Sequence, residues 1–126
     1  MSKSVLVVED DPSIRSLIQM VLEAEGYHVL TASNGQEGVK ILKQGAHPGL
    51  ILLDLMMPIM NGWEFLRARR EDCLSEEIPV IVLSAAGIEV APDGANGMFS
   101  KPFELESLLQ ITHRYCHSVE RAPQAS

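Results

Sequence analysis

The chain has 126 residues, a length typical of one domain, and its formal net charge is -7. Its hydrophobic and charged fractions, 46% and 21%, are ordinary for a globular protein, and no apolar run approaches the roughly 20 residues that span a bilayer. The negative charge argues against nucleic-acid binding by this domain, because phosphate backbones attract basic surfaces; it is compatible with a divalent cation or a basic partner.

The first predicted elements are a strand and a helix. Residues 5–8 form a short, uniformly apolar run, which is typical of a strand that is covered on both faces. A helix is predicted over residues 12–25, where apolar residues recur at helical spacing. Asp11 followed by Pro12 is a favourable helix start, and Gly26 is a favourable stop.

The same alternation continues along the rest of the chain. In order, the sequence predicts a weak strand over 28–32, a helix over 34–44, a strand over 50–53, a helix over 61–71, a strand over 80–83, a short strand over 97–100 and a helix over 104–117. We expect one domain over residues 1–120 and a flexible C-terminal tail over 121–126. Alternating strands and helices predict an α/β, doubly wound (flavodoxin-like) fold, with a five-stranded parallel sheet and helices on both faces.

Two further features concern the compartment. The N-terminus has no cleavable signal pattern, and the cysteines, Cys73 and Cys116, have neither metal-binding nor redox spacing. Isolated cysteines of this kind are usually reduced. We therefore expect a cytoplasmic protein.

Polar residues follow the predicted strands at the sheet edge where doubly wound folds place their functional crevice. They are Glu9, Asp10 and Asp11 after the first strand, Asp54 after the third, Ser84 after the fourth and Lys101 after the fifth. Clustered carboxylates repel one another, and Mg²⁺ relieves this repulsion through its preference for oxygen ligands. A carboxylate can also attack phosphorus to give an acyl phosphate, whose charge a metal ion, a lysine and a hydroxyl are suited to stabilise.

The residues around these positions resemble the response-regulator receiver family of two-component signalling. The resemblance is carried by the motifs at residues 6–12, 53–58 with 61–62, 83–85 and 101–103. Each motif is weak alone, but four in this order on these elements are a strong signal. The similarity covers roughly residues 3 to 118.

The resemblance implies a role for each acidic residue. Asp54 is the expected phosphoryl acceptor and also an expected ligand of Mg²⁺, and Asp10 is the expected direct ligand of Mg²⁺. Glu9 would assist directly or through water, and the main-chain carbonyl of Met56 would be a further ligand. Asp11 has a sufficient role as the helix cap before Pro12.

The resemblance also implies roles for the polar residues after the last two strands. Ser84 would hydrogen-bond the phosphoryl oxygens, and Lys101 would pair with them. The Lys101–Pro102 peptide bond is expected to be cis. Met56 and Ala86 are expected near the phosphoryl group, where they would influence access of water.

The sequence departs from the family pattern in two places. Met98 stands where the family usually has an aromatic residue that swings inward as the hydroxyl residue, here Ser84, moves toward the phosphoryl group. Phe99 should face the opposite side of the strand. Either Met98 rotates in place of the aromatic residue, which makes Ser84 and Met98 the switch residues, or the switch is absent. The stretch from Ser84 to Lys101 is short and contains Pro92 and several glycines, so the family's fourth helix should be shortened or missing. Output would then use another surface, such as the first or the last helix.

Three hypotheses follow from the sequence. The leading one is a stand-alone response regulator that receives a phosphoryl group from a histidine kinase or a histidine phosphotransfer protein. It would act by binding an unknown downstream protein or by passing the phosphoryl group on. The second is a receiver-like module that binds proteins independently of phosphorylation. The third, a phosphate-ester hydrolase, is disfavoured because Met56 stands where such enzymes usually carry a second acid.

Overall fold

A computed structural model of the chain describes residues 3–72, 74, 76–84 and 90–121, with side chains up to residue 116. Strands and helices alternate through these residues. They are β1 (Ser4–Val8), α1 (Pro12–Ala24), β2 (His28–Ala32), α2 (Gly35–Lys43), β3 (Leu50–Asp54), α3 (Gly62–Glu71), β4 (Val80–Ser84), β5 (Gly97–Ser100) and α4 (Leu105–Arg121). No described helix is both long and apolar enough to cross a bilayer.

The five strands form one parallel sheet with the order β2-β1-β3-β4-β5. Each of the five predicted strands is present, and the predicted fold class is confirmed. The chain crosses from one side of β1 to the other after β2, so the strand order reverses between β1 and β3. In doubly wound sheets the functional crevice lies at this switch point, outside the carboxyl ends of the strands.

The central strands are uniformly apolar because both faces of the sheet are covered. Leu6, Ile51 and Val82 point into one buried cluster, which also contains residues of α2 and α3. Val7, Leu52 and Leu83 point into a second cluster with residues of α1 and α4. Burial on both faces removes the polar alternation of a half-exposed strand.

Local sequence signals set the helix starts beside the crevice. The Asp11 side chain caps α1, accepting hydrogen bonds from the N–H groups of Ser13 and Ile14 at 2.8 and 3.3 Å. Asn61 caps α3 in a reciprocal capping box with Glu64. These contacts satisfy N–H groups that have no partner within the helix.

The connection between β4 and β5 agrees with the expected loss of a helix, as far as it is described. Residues 90–96 contain turns and bends but no helix, while residues 85–89, including Ala86, lie outside the described residues. The final helix runs to Arg121, beyond the predicted end at residue 117. The expected tail thus has its first residue in this helix, and its other residues, 122–126, lie outside the described part of the chain.

Candidate functional site

Three acidic side chains converge at the carboxyl ends of β1 and β3. Glu9 and Asp54 are buried, with 0% and 3% of their surface exposed, and Asp10 is half-buried. One carboxylate oxygen from each of these residues lies within 4.8 Å of the other two. The structure therefore brings together the three acids that the sequence predicts as metal ligands. Asp11, by contrast, is occupied as the cap of α1.

Lys101 joins this cluster from the end of β5. Its Nζ lies 2.9 Å from Oε1 of Glu9 and 3.3 Å from Oδ1 of Asp54. The Lys101–Pro102 peptide bond is cis, as predicted. An ammonium thus bridges two of the three carboxylates and leaves the cluster with a net negative charge.

Four described hydrogen bonds fix the main chain and the carboxylate of Glu9. Its N–H donates to the carbonyl of Ala32 at 3.0 Å, and its carbonyl accepts from Arg15 Nη1 at 2.8 Å. Its carboxylate accepts from the Asp11 N–H at 3.1 Å through Oε2 and from Lys101 through Oε1. Sequence reasoning did not single out Arg15. The sequence signal that could have indicated a role for Arg15 is its position in the first turn of the helix that follows the acids.

The electrostatics of the cluster favour a bound cation. Burial and, secondly, the negative charge of Glu9 together raise the pKa of Asp54 to about 7, although the positive charge of Lys101 opposes the increase. Burial lowers the pKa of Lys101, but its hydrogen bond to Glu9 and the charges of Glu9 and Asp54 outweigh this and raise it. Ionising Asp54 in this place is unfavourable without additional positive charge. Three oxygen donors with uncompensated charge fit a hard divalent ion such as Mg²⁺.

Ser84 is also in a position that calls for a partner. It ends β4, next to β3, where Asp54 pairs with Leu83. Its Oγ is fully buried and has no hydrogen-bond partner among the described residues. Burying a hydroxyl without a partner is costly, so a ligand oxygen at this edge of the sheet would satisfy it.

The remaining predicted residues are less directly placed by the structure. Met56 follows Asp54 by two residues, and its side chain is 59% exposed. Met98 is half-buried and packs against the core cluster on the α2 and α3 side of the sheet, whereas Phe99 packs on the other side. Phe99 therefore does not take the place of the missing aromatic residue. The metal-ligand role of the Met56 carbonyl and the switch role of Met98 stay predictions.

Comparison with known proteins gives a consistent result. The family model described as "Response regulator receiver domain" matches residues 5–113. The chain is 35% identical over 127 residues to the "DNA-binding dual master transcriptional regulator RpaA" of Synechocystis sp., covering 97% of this chain. The match covers only 52% of that relative, so the chain spans about half its length.

Solved structures agree with the sequence comparison. A "response regulator receiver domain protein (CheY-like)" from Methanospirillum hungatei JF-1 has a TM-score of 0.84 and 30% identity, with 94% of this chain and 97% of that chain covered. The receiver domain of the sensor histidine kinase PA1611 from Pseudomonas aeruginosa PAO1 has a TM-score of 0.80 and 26% identity, with 91% and 98% covered. That structure is described with a magnesium ion coordinated in its active-site cleft.

Proposed function

This chain belongs to the response-regulator receiver family, and from that premise we propose that it accepts a phosphoryl group on Asp54 in an Mg²⁺-dependent reaction. The observation that carries the proposal is the position of Asp54. Its carboxylate is buried between two further carboxylates and the Lys101 ammonium, and its pKa is raised to about 7. A site of this kind suits a nucleophile whose charge is compensated only when its ligands arrive.

The cation would be held by Asp10, Asp54 and the main-chain carbonyl of Met56, with Glu9 contributing directly or through water. Bound Mg²⁺ supplies positive charge for the carboxylates and for the phosphoryl oxygens. One carboxylate oxygen from each of the three residues lies within 4.8 Å of the other two, and this short distance supports a single ion shared among them. Because both carboxylate oxygens of Glu9 already accept hydrogen bonds, from Lys101 and from the Asp11 N–H, we assign Glu9 the less direct role.

The chain's own residues then account for the transfer. A carboxylate oxygen of Asp54 attacks phosphorus, the P–N bond of a phosphohistidine donor breaks, and the imidazole leaves with the bond electrons. Lys101, now shared between Glu9 and Asp54, would turn to the phosphoryl oxygens. The buried Oγ of Ser84 would donate a hydrogen bond to one of these oxygens and so gain the partner it lacks. Both contacts are made beside the buried side chains of Glu9, Asp54 and Ser84, where electrostatic stabilisation is stronger than in water.

The phosphoryl group would act through partners. We propose that the donor is a histidine kinase or a histidine phosphotransfer protein, and that phosphorylation changes binding of a downstream protein or is followed by relay to another carrier. Ser84 and Met98 are the candidate switch residues: Ser84 ends β4 at the site, and Met98 lies on the neighbouring strand β5, three residues before Lys101. A cytoplasmic location remains a prediction from the sequence.

One alternative has a specific observation in its favour. Met98 replaces the usual aromatic residue, and residues 90–96 carry no helix in the described part of the connection. Both features affect the surface that receivers commonly use for output, and they favour a module that binds proteins independently of phosphorylation. The complete set of carboxylates, Ser84 and Lys101 favours the phosphoacceptor instead.

Intact-mass measurement separates these two functions. The protein is incubated with acetyl phosphate and Mg²⁺, in parallel with Asp54→Ala and with Asp93→Asn, a control change at an exposed carboxylate. We expect one added phosphoryl group in the parent and in Asp93→Asn, and none in Asp54→Ala or in the presence of a chelator. If the folded parent protein gains no phosphoryl group, the binding module becomes the better interpretation.

A further inference from the structure

The peptide bond that joins the two leading acids is fixed by a residue outside the acidic cluster. Arg15 is the fourth residue of α1, and its N–H makes an early bond of the helix, to the carbonyl of Asp11 at 2.9 Å. Long side chains in a helix lean toward its N-terminus. The guanidinium accordingly reaches back past the cap. Its Nη1 donates to the carbonyl of Glu9 at 2.8 Å and lies 3.5 Å from the carbonyl of Asp10.

The hydrogen bond from Arg15 fixes the Glu9 carbonyl, a group of the site for which no other contact is described. The Glu9 carboxylate accepts hydrogen bonds from Lys101 and from the Asp11 N–H, and the main-chain N–H of Glu9 donates to the carbonyl of Ala32. The Glu9 carbonyl belongs to the peptide plane that leads into Asp10. Rotation of that plane would redirect the Asp10 side chain, and the 2.8 Å bond from Arg15 opposes this rotation.

We propose that Arg15 is a positioning residue for the cation site. Its guanidinium holds the peptide plane between Glu9 and Asp10 so that both carboxylates face the same point as Asp54. The proposal rests on the proposed function, because it concerns the cation that phosphorylation at Asp54 requires. Arg15 itself is not a metal ligand, since a guanidinium has only donors.

Positioning and simple charge predict opposite effects of removing Arg15. A guanidinium near a divalent cation repels it, so a residue that acted only through its charge would weaken cation binding, and its removal would tighten binding. A residue that orients ligands has the reverse effect. Loss of such supporting hydrogen bonds typically costs about 10- to 100-fold in metal affinity. The sign of the change therefore separates the two roles.

The test is a Mg²⁺ titration followed by the amide NMR signals of the intact chain. We compare the parent with Arg15→Ala, with Arg15→Lys, which keeps the charge and one donor, and with Arg67→Ala, a loss of an exposed arginine on α3. We expect the Kd for Mg²⁺ to rise about tenfold in Arg15→Ala. It should rise less in Arg15→Lys and stay unchanged in Arg67→Ala.

Phosphorylation by acetyl phosphate provides a second readout. If Arg15 acts by positioning the cation ligands, Arg15→Ala should slow the reaction at limiting Mg²⁺ and approach the parental rate at saturating Mg²⁺. A merely structural loss would lower the rate at both concentrations, and urea unfolding shows whether the variant is folded. Should Arg15→Ala not fold, the comparison of Arg15→Lys with the parent decides.

The outcomes separate this inference from the proposed function. Parental or tighter Mg²⁺ binding in a folded Arg15 variant would overturn the positioning role while the parent protein is still phosphorylated on Asp54. If the parent neither binds Mg²⁺ nor accepts a phosphoryl group, the proposed function fails, and the role of Arg15 fails with it. Weaker binding that saturating Mg²⁺ overcomes supports both.

Discussion

Replacing Asp54 by asparagine should stabilise the cation-free protein, and the gain should depend on pH. The carboxyl of Asp54 has an ordinary pKa of 3.8, which describes the unfolded chain, and burial and Glu9 raise the pKa to about 7 in the fold. Below about pH 3 both the folded and the unfolded chain hold this proton, so Asp54 has almost no effect on the free energy of unfolding. As pH rises toward 7, the unfolded chain releases the proton while the fold retains it, so stability falls.

The size of this effect follows from the two pKa values. At about 1.4 kcal/mol per pH unit, the cost is about 1.5 kcal/mol at pH 5 and reaches a plateau of about 4 kcal/mol above pH 7. Asparagine is never ionised, yet it keeps an oxygen that can accept from Lys101. We therefore expect Asp54→Asn to exceed the parent in free energy of unfolding by about these amounts in chelator.

Urea unfolding at pH 5 and pH 8 measures the difference. Asp93→Asn, a change at an exposed side chain, is the matched control and should show no comparable gain. Added Mg²⁺ should narrow the gap at pH 8, because a ligand that binds only the folded state stabilises the parent. A gain that is the same at both pH values, or a loss of stability at pH 8, would refute the electrostatic reasoning about Asp54.

Three further substitutions test the surrounding structure. In Gly62→Ala, the new Cβ would lie 2.7 Å from the carbonyl oxygen of Asp54. The free energy of unfolding, measured in urea, should therefore fall by about 1–3 kcal/mol. Unchanged stability would contradict this close approach. Ile59 is exposed and has a φ of 69°, a left-handed conformation that strains a β-branched residue but that asparagine tolerates. Ile59→Asn should therefore raise the free energy of unfolding by about 1 kcal/mol, whereas Ile59→Val should not. Equal melting temperatures of the two variants would refute the backbone strain at this position. Arg69 donates to two main-chain carbonyls of the segment that enters β4, so Arg69→Met should cost about 2–3 kcal/mol in urea unfolding, and a loss below 1 kcal/mol would show that these bonds contribute little.

The fold was predictable because its signals are local. Uniform apolar runs identify the buried strands, and Asp11 with Pro12 identifies the start of α1. The helix α4 was underestimated because its predicted end at residue 117 did not rest on a breaking residue. The first proline after that point is Pro123, and the helix runs to Arg121.

The residues of the site were predictable from a rule of architecture. Parallel strands bring their carboxyl ends to one edge, so the polar residues that follow them meet there. The electrostatic and hydrogen-bonding state of these side chains was not predictable from the sequence. The raised pKa of Asp54 and the lack of a described partner for the Ser84 Oγ both depend on burial in the folded structure. The reach of Arg15 to the Glu9 carbonyl depends on a side-chain rotamer, which sequence spacing does not determine.

The most direct test of phosphorylation at Asp54 is to locate the acyl phosphate in the chain. After incubation with acetyl phosphate and Mg²⁺, borohydride reduction converts an aspartyl phosphate to homoserine, and mass spectrometry of the peptides identifies the altered residue. We predict homoserine at position 54 and unaltered Asp10 and Asp11. Reduction at one of those two residues, or at none in folded protein that binds Mg²⁺, would contradict the assignment of Asp54 as the acceptor.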